Sequence, residues 1–460
     1  MTFLEALKRA QMQGRIPVIA DIKCRSPKEG DLLAGRDPVR LAGLLAEAGV
    51  PALSVVTEAK EFGGSLELLR RLASEVPVPF LRKDFLTTRQ DLIETKEAGA
   101  SAVLLMYATL GREKLRELYR EALAIGLTPL VETHTREDLE DAKALGAQLV
   151  GINNRDILQL ERDDGGVAHA QSLIDAASTD AFIVVESGIA NGREVRQAVR
   201  AGADTALVGT ALLRADDIAE AYRGMARPWD LKVCGLMNKT DAEQMIRGGA
   251  DMLGFVTEYP VNVPWNLREE ETAELLRAVS GRARTCIVTG GSPEKIIGLA
   301  ERLRPDAVQL HDSAPLQDTM ESAGRLAGHG FEVIRSVPLS AEIREKMFGT
   351  AQLAEIPQKL AGSGVNALLL DARSQENAAA GGGTVSLSSA EAQALREAVR
   401  AAGLRLVVGG GITGQTVADA AALFRPDTLD VMTGVEDAPG RKSPEKLKAL
   451  LQAAYAGLLS

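Results

Sequence analysis

The sequence predicts an α/β fold of two tandem (β/α)8 TIM barrels, and three observations carry that prediction. The chain has 460 residues, too many for one ordinary domain and enough for two that each bury a full core. A helix that ends in a glycine-centred turn and runs into a short apolar strand recurs along its length. The strands lack polar alternation, the pattern of a parallel sheet buried on both faces.

The turns come in order. Ala48-Gly49-Val50 precedes an apolar run at 53–56, Ala98-Gly99-Ala100 one at 103–106, Leu145-Gly146-Ala147 one at 149–152, and Ala201-Gly202-Ala203 one at 206–208. Farther on, Gly248-Gly249-Ala250 precedes 252–256 and Ser363-Gly364-Val365 precedes 367–370. Glycine just past a helix end supplies the left-handed conformation that closes the last turn. The intervening helices carry one apolar stripe, as at Leu41, Leu44, Leu45 and Ala48. Candidate strands at 18–23, 53–56, 80–83, 103–106, 129–132, 149–152, 182–186 and 206–208 make eight in the first half. The second half offers eight more, at 231–234, 252–256, 284–288, 307–310, 332–335, 367–370, 405–408 and 429–432. Eight strand–helix units in roughly 200–250 residues is the size of one closed barrel. An open doubly wound sheet needs fewer strands and usually a glycine-rich first turn, and no G-x-G-x-x-G follows a first strand here. The boundary is expected near 222–230, giving domains at 1–225 and 231–460.

Aromatic residues make up only 3% of the chain, so aliphatic side chains, Ala and Gly must build the interior, as close helix–strand contact requires. A net charge of −10 argues against a nucleic-acid partner. Cys24, Cys234 and Cys286 are too few and too scattered for a disulfide framework or a metal site, which suits a reducing, cytoplasmic setting. No apolar run reaches the roughly 18 residues of a membrane span, and the first residues, MTFLEALKRAQMQGRIP, lack a signal-peptide stretch. His134, His169, His311 and His329 form no metal set, and of these only His311 falls on a rim. The expected partners are small phosphorylated substrates, with no nucleic acid and no membrane, and a monomer is the simplest expectation.

Active sites of such barrels lie at the C-terminal strand ends. In the first half those positions hold Asp21, Lys23, Lys83, Glu132, Asn153, Glu186, Ser187 and Gly209. Lysines and carboxylates on one rim shift one another's proton affinity and supply both a general acid and a general base. The small residues of Glu186-Ser187-Gly188-Ile189 and Val208-Gly209-Thr210-Ala211 let backbone N–H groups approach a phosphate after strands 7 and 8.

These residues resemble a known family. Val18-Ile19-Ala20-Asp21-Ile22-Lys23 followed by Ser26-Pro27 is similar to the first-strand signature of indole-3-glycerol-phosphate synthases. Leu81-Arg82-Lys83-Asp84-Phe85, Leu130-Val131-Glu132, Gly151-Ile152-Asn153-Asn154-Arg155-Asp156 and Glu186-Ser187-Gly188-Ile189 match the later motifs in order, over about residues 5–220. The resemblance implies Lys83 as general acid, Glu132 as general base, and Lys23 on the substrate carboxylate. It implies Ser26, Asn153, Arg155, Glu186 and Ser187 around the substrate, Asp21 beside them, and Gly188, Gly209 and Thr210 on the phosphate. Phe62 and Phe85 are candidates to cover the aromatic ring. The implied reaction closes an indole ring with loss of CO2 and water and needs no cofactor or metal. The chain departs from the family in having Asp21 for the usual Glu, and in its short segment before the first strand, from which 3–11 is expected to form a lid helix over the mouth.

In the second half Leu231-Lys232-Val233-Cys234-Gly235-Leu236 places a cysteine at the end of its first strand, facing Asp371 at the end of another. A thiolate base and a carboxylic acid on one rim suit proton transfer on an aminoaldose. With Gly254-Phe255-Val256, Ala307-Val308-Gln309-Leu310-His311, Leu369-Leu370-Asp371, Gly409-Gly410-Gly411-Ile412 and the run from Asp430 to Glu436, the pattern resembles phosphoribosylanthranilate isomerase over about 231–455. The resemblance implies that Asp371 protonates the ribose ring oxygen, that Cys234 moves the C2′ proton, and that Gly410, Gly411 and Gly434 hold the phosphate. His311 and Asp430 join the substrate-binding set. The arginine that the family carries after its second strand is replaced by Tyr259-Pro260-Val261-Asn262-Val263-Pro264-Trp265-Asn266, which has no basic residue. Arg335 is the expected substitute, and Trp265 is expected to stack on the aryl ring. Gly381-Gly382-Gly383-Thr384 lacks the lysine that often follows in the family. Two other readings of the second half are a supporting module without chemistry, and an isomerase of histidine synthesis, which typically uses two aspartates.

Overall fold

The computed structural model describes residues 1–153, 173–174, 180–371 and 386–459. The chain divides into two compact units, Met1–Pro228 and Trp229–Ser460.

Each unit is a closed barrel of eight parallel strands. In the first these are β1 Ile19–Ile22, β2 Leu53–Val56, β3 Phe80–Lys83, β4 Ala102–Met106, β5 Thr128–Thr133, β6 Leu149–Asn153, β7 Phe182–Glu186 and β8 Thr205–Val208. In the second they are β9 Asp230–Val233, β10 Met252–Val256, β11 Arg284–Thr289, β12 Ala307–Leu310, β13 Glu332–Pro338, β14 Ala367–Asp371, β15 Arg405–Val408 and β16 Thr428–Val431. Pairing of β1 with β8, through Ile19↔Leu207, closes the first barrel, and pairing of β9 with β16, through Lys232↔Asp430, closes the second. Strand ends agree with the sequence expectation to within one residue, except that β13 runs three residues farther, held by its register with β14 out to Pro338↔Asp371.

The glycine-centred turns do what their composition requires. At Gly364 φ is +94°, and a Cβ there would lie 2.6 Å from the carbonyl oxygen of Ala323, so both backbone and space demand glycine. Two short antiparallel hairpins escaped the sequence reading. One joins Arg25–Ser26 to Gly30–Asp31 after β1, and the other joins Glu436–Ala438 to Arg441–Lys442 after β16.

Alternation sorts the strand residues into two apolar layers. In the second barrel Met252, Cys286, Ala307, Ile334, Ala367, Leu369 and Val407 fill the interior, while their neighbours, such as Leu253, Ile287, Val308 and Leu368, pack against the helices. In the first, Ile19, Leu81, Leu104, Leu130, Leu149, Val184 and Leu207 fill the interior.

The first barrel's N-terminal helix corrects an expectation. Phe3–Met12 buries Phe3, Leu4 and Leu7 in the same cluster as these interior side chains. Gln11 donates to Asp204 just before β8, and Arg15 donates to the Gly49 carbonyl ahead of β2. The helix therefore closes the floor of the barrel, at the N-terminal strand ends, and is not a lid over the mouth. Its apolar face packs there on the interior side chains of the barrel. Leu7→Ala is expected to destabilise this unit by about 2–5 kcal/mol, read as a lower urea midpoint for its unfolding. The second barrel has an ionic floor instead, with Arg284 and Arg405 both paired to Glu332.

Among the described residues, no helix is long and apolar enough to cross a membrane.

Candidate active sites

The mouth of the first barrel holds a cavity of about 640 Å³. Asp21, Lys23, Phe62, Lys83, Phe85, Glu132, Asn153 and Ser187 all line it. Eight positions scattered over the sequence thus share one wall, because all but Phe62 stand at or close to the end of a strand, and Phe62 stands in the loop that follows β2. Val56, Glu58, Asp84, Leu104 and Met106 complete the lining and were not singled out from the sequence.

Lys83 is the electrostatic centre. Its Nζ lies 2.7 Å from Glu186 Oε2 and 3.3 Å from Glu132 Oε2. Burial on its own would push this ammonium down, but Glu186, Glu132 and Asp21 outweigh it and hold Lys83 above the ordinary lysine value. Asn153 Nδ2 donates to the other oxygen of Glu132 at 3.2 Å, which sets the plane of that carboxylate. Burial, opposed by Lys83 and reinforced by Glu132, pushes the Glu186 carboxyl up to about 7. Glu186 fits only because residue 151 is glycine, where a Cβ would stand 2.3 Å from Glu186 Oε1.

Glu186 Oε1 and Asp21 Oδ1 are both buried without a protein hydrogen-bond partner. Buried acceptors of this kind are stabilised when a ligand donates to them. Asp21, though shorter than the family's glutamate, still lines the cavity, backed by Gly209, where a Cβ would lie 3.2 Å from Asp21 Oδ2. Ser187 adopts φ +67°, a left-handed backbone in a non-glycine residue, next to Gly188 at +72°. Such strain costs about 1–3 kcal/mol and collects at functional sites. Here it accompanies a serine held on the cavity wall.

Thr57, Arg82 and Asp84 form an unpredicted support behind Lys83. Arg82 Nε donates to Thr57 Oγ1 at 3.0 Å, and Thr57 Oγ1 donates to Asp84 Oδ2 at 2.6 Å. An arginine buried within β3, directly before Lys83, was the signal that could have revealed it. Ser26 does not reach the cavity wall; it is buried in the hairpin after β1 and accepts from Glu29 N at 3.3 Å. Arg155 lies outside the described residues.

Glu186 carries a pH prediction. Its folded value, near 7, is above the ordinary carboxylate value, so its contribution to folding is complete at low pH and fades as pH rises through about 7. The same ionisation should appear as a limb near 7 in the pH–rate profile of any reaction this site carries out. Glu186→Gln is expected to delete that limb, and a profile that kept it would assign the titration to another group.

In the second barrel Cys234 follows β9 and is 3% exposed. It lies beneath a roof of Tyr259, Val263, Trp265 and Met432. Trp265 is buried there, with its indole N–H donating to Glu436 at 3.1 Å, so the ring serves as roof rather than as an exposed stacking face. Gly254 leaves the thiol its space, since a Cβ there would come 2.9 Å from Cys234 Sγ. The hairpin after β16 fastens the roof through Lys442 Nζ, 2.6 Å from Glu436 Oε1.

A second cavity, of about 340 Å³, is lined by Gly409, Gly410, Gly411, Ile412, Asp430, Met432 and Thr433. Gly410 and Gly411 adopt φ +80° and +67°, which leaves a concave backbone surface without side chains. Gly434 is not in that lining; a Cβ there would meet the Ile412 carbonyl oxygen at 1.9 Å, so its glycine lets the two loops close. His311 stands on the rim after β12, with Nδ1 3.2 Å from Tyr259 Oη. Asp371 ends β14, and its side chain lies outside the described residues, as does 381–384.

Arg335 is a correction. It is fully buried, and its two terminal nitrogens donate to Asp312 Oδ1 at 2.9 Å and to the carbonyls of Leu310, Asp312 and Ala314. Its guanidinium also faces the Phe348 ring at 5.7 Å. An arginine so engaged ties down the loop after β12 and presents no fork to a substrate carboxylate. Arg335→Ala is therefore expected to lower stability by about 3–5 kcal/mol, because it strands Asp312. The KM of the second barrel's reaction in the folded variant should change little, which thermal unfolding and steady-state kinetics on one preparation would check.

Among the described residues, no group of three or more His, Cys, Asp or Glu could hold a metal ion. Residues 1–225 match the family model described as indole-3-glycerol phosphate synthase, and residues 231–453 match that described as N-(5'phosphoribosyl)anthranilate (PRA) isomerase. The indole-3-glycerol phosphate synthase of Pyrococcus furiosus is 45% identical over 207 residues, covering 45% of this chain and 90% of that protein. That of Nocardioides sp. is 43% identical over 208 residues, covering 45% of this chain and 79% of that protein. A solved phosphoribosyl anthranilate isomerase from Thermus thermophilus is 28% identical, covering 49% of this chain and 98% of that chain, with a TM-score of 0.39.

Proposed function

This chain belongs to the indole-3-glycerol phosphate synthase family and carries a phosphoribosylanthranilate isomerase unit behind it, and from that premise we propose how its residues divide the chemistry. It is a bifunctional enzyme of tryptophan biosynthesis acting on phosphorylated small molecules. The isomerase unit converts phosphoribosylanthranilate to carboxyphenylamino-deoxyribulose phosphate by an Amadori rearrangement. The synthase unit closes the indole ring of that product with loss of CO2 and water. A second unit that merely supports the first is not favoured, because an isomerase family model matches nearly all of it.

In the synthase unit Lys83 is the general acid toward the substrate carbonyl, and Glu132 is the general base in the later dehydration. The observation that carries this reading is the placement of Lys83 Nζ between Glu186 and Glu132 on a buried wall. An ammonium so placed is charged and pointed before substrate arrives, so little reorganisation is needed during reaction. Lys23 holds the substrate carboxylate and assists its departure. Asp21, Glu186, Asn153, Ser187 and Arg155 orient the sugar chain, Phe62 and Phe85 cover the ring, and Gly188, Gly209 and Thr210 offer backbone donors to the phosphate. In the isomerase unit Asp371 protonates the ring oxygen and Cys234 moves the C2′ proton, with the phosphate against Gly410 and Gly411.

The decisive experiment supplies the purified protein with phosphoribosylanthranilate and follows loss of its fluorescence and growth of indole absorbance. Conversion through to indole-3-glycerol phosphate supports both assignments. Turnover of only the already rearranged intermediate would remove the isomerase assignment and leave that of the synthase.

A further inference from the structure

Lys232 lies inside the second barrel, and no role yet described uses it. It is fully buried. Its Nζ donates to Asp430 Oδ2 at 2.7 Å and to Gln309 Oε1 at 2.8 Å, joining β9 to β16 and to β12 across the interior. An ammonium with no exposure is expensive to keep, and a purely apolar core would be at least as stable. Its position suggests why it stays. Lys232 and Cys234 are two residues apart and Cys234 continues the ladder by donating its N–H to Val431, so both side chains face the same way, toward the axis. Lys232, fully buried, thus lies one step below the thiol, which itself packs beneath Tyr259, Trp265 and Met432.

We propose that Lys232 is a positioning residue of the isomerase, whose buried ammonium keeps Cys234 in the thiolate form that can accept a proton. The inference rests on the reading of Cys234 as the base. The titratable groups around the thiol are Lys232 and Asp430 below, Cys286 on β11, Tyr259 in the roof, and Lys442 with Glu436 in the hairpin. After burial, which opposes the charge, and Asp430, the group acting most strongly on Lys232 is Cys234 itself. Burial pushes the Cys286 thiol up to about 12, which leaves it silent at neutral pH. Asp430 keeps Oδ1 buried without a partner and lines the glycine cradle, so Lys232 also offsets a carboxylate that would otherwise face the phosphate.

The test uses the full chain in a Cys24→Ser background and titrates Cys234 by thiolate ultraviolet absorbance, with Cys234→Ser subtracted as the blank. Lys232→Met is expected to raise the midpoint by about one pH unit or more, a tenfold or greater loss of thiolate at neutral pH. Because that change alone leaves Asp430 uncompensated, Lys232→Met/Asp430→Asn and Asp430→Asn alone are measured beside it, with synthase turnover as the check that the chain is intact. A midpoint that rises in Lys232→Met, and rises in the double variant relative to Asp430→Asn alone, together with the acid limb of isomerase kcat/KM, supports the proposal. A midpoint no higher in the double variant than in Asp430→Asn alone overturns it, because the Asp430 carboxylate acts on the thiol with the opposite sign. A midpoint that moves while the pH–rate profile does not would support the Lys232–Cys234 coupling and overturn the assignment of Cys234 as base.

Discussion

Lys83→Ala is expected to lower synthase kcat/KM by about 10²–10⁴-fold, the range over which a positioned general acid contributes, while isomerase turnover stays at its original level. The loss has two physical sources. The proton donor itself is gone, and Glu186 and Glu132 are left facing each other without the ammonium that lies 2.7 and 3.3 Å from them. Two carboxylates on one buried wall cannot both remain ionised at low energy, so one will take up a proton. Glu132 as a base would then be compromised along with the acid. Lys83→Arg is a useful companion because it keeps the charge and alters the geometry. If arginine restores much of the activity, the charge is what matters; if it does not, charge alone is insufficient and the lysine's geometry or its proton is required. Near-normal synthase turnover in Lys83→Ala would take the general-acid role away from this residue.

Cys234→Ser should produce the reverse pattern, a loss of about 10²–10⁴-fold in isomerase kcat/KM with the synthase untouched. The substitution preserves shape in a site with little room, since Gly254 already stands as close to Sγ as a glycine can. It removes an ionisable thiol and puts in its place a hydroxyl that stays protonated at any working pH. The roof and the cradle at Gly410 and Gly411 should remain, so KM is expected to change less than kcat. Full isomerase activity in this variant would make Cys234 a packing residue of the roof cluster.

How much of this was legible in advance depends on what kind of signal each residue leaves. Asp21, Lys83, Glu132, Asn153 and Glu186 were visible because a charged or polar residue at or next to the end of an apolar strand breaks a regular pattern. Their order along the chain also matched a known family. Glu58 and Asp84 lie past their strand ends, in loops where polar residues are ordinary, so nothing local marked them. Arg335 misled for a related reason. An arginine on a barrel strand looks available, and only the packing reveals that Asp312 and three carbonyls already engage it. The N-terminal helix shows the same limit: its amphipathic face was readable, but the surface it covers was not.

The sequence by itself determined the two barrels, their strands almost to the residue, and which side chains stand on each rim. Those properties follow from short-range periodicity and from the rule that strand ends face the active site. Only the tertiary structure decided that Phe3–Met12 closes a floor, that Trp265 and Tyr259 roof Cys234, and that Lys232 meets Asp430 198 residues away. Each of these is a choice of partner between groups distant in the chain, made by burial, space and charge compensation, and such choices leave no local pattern to read.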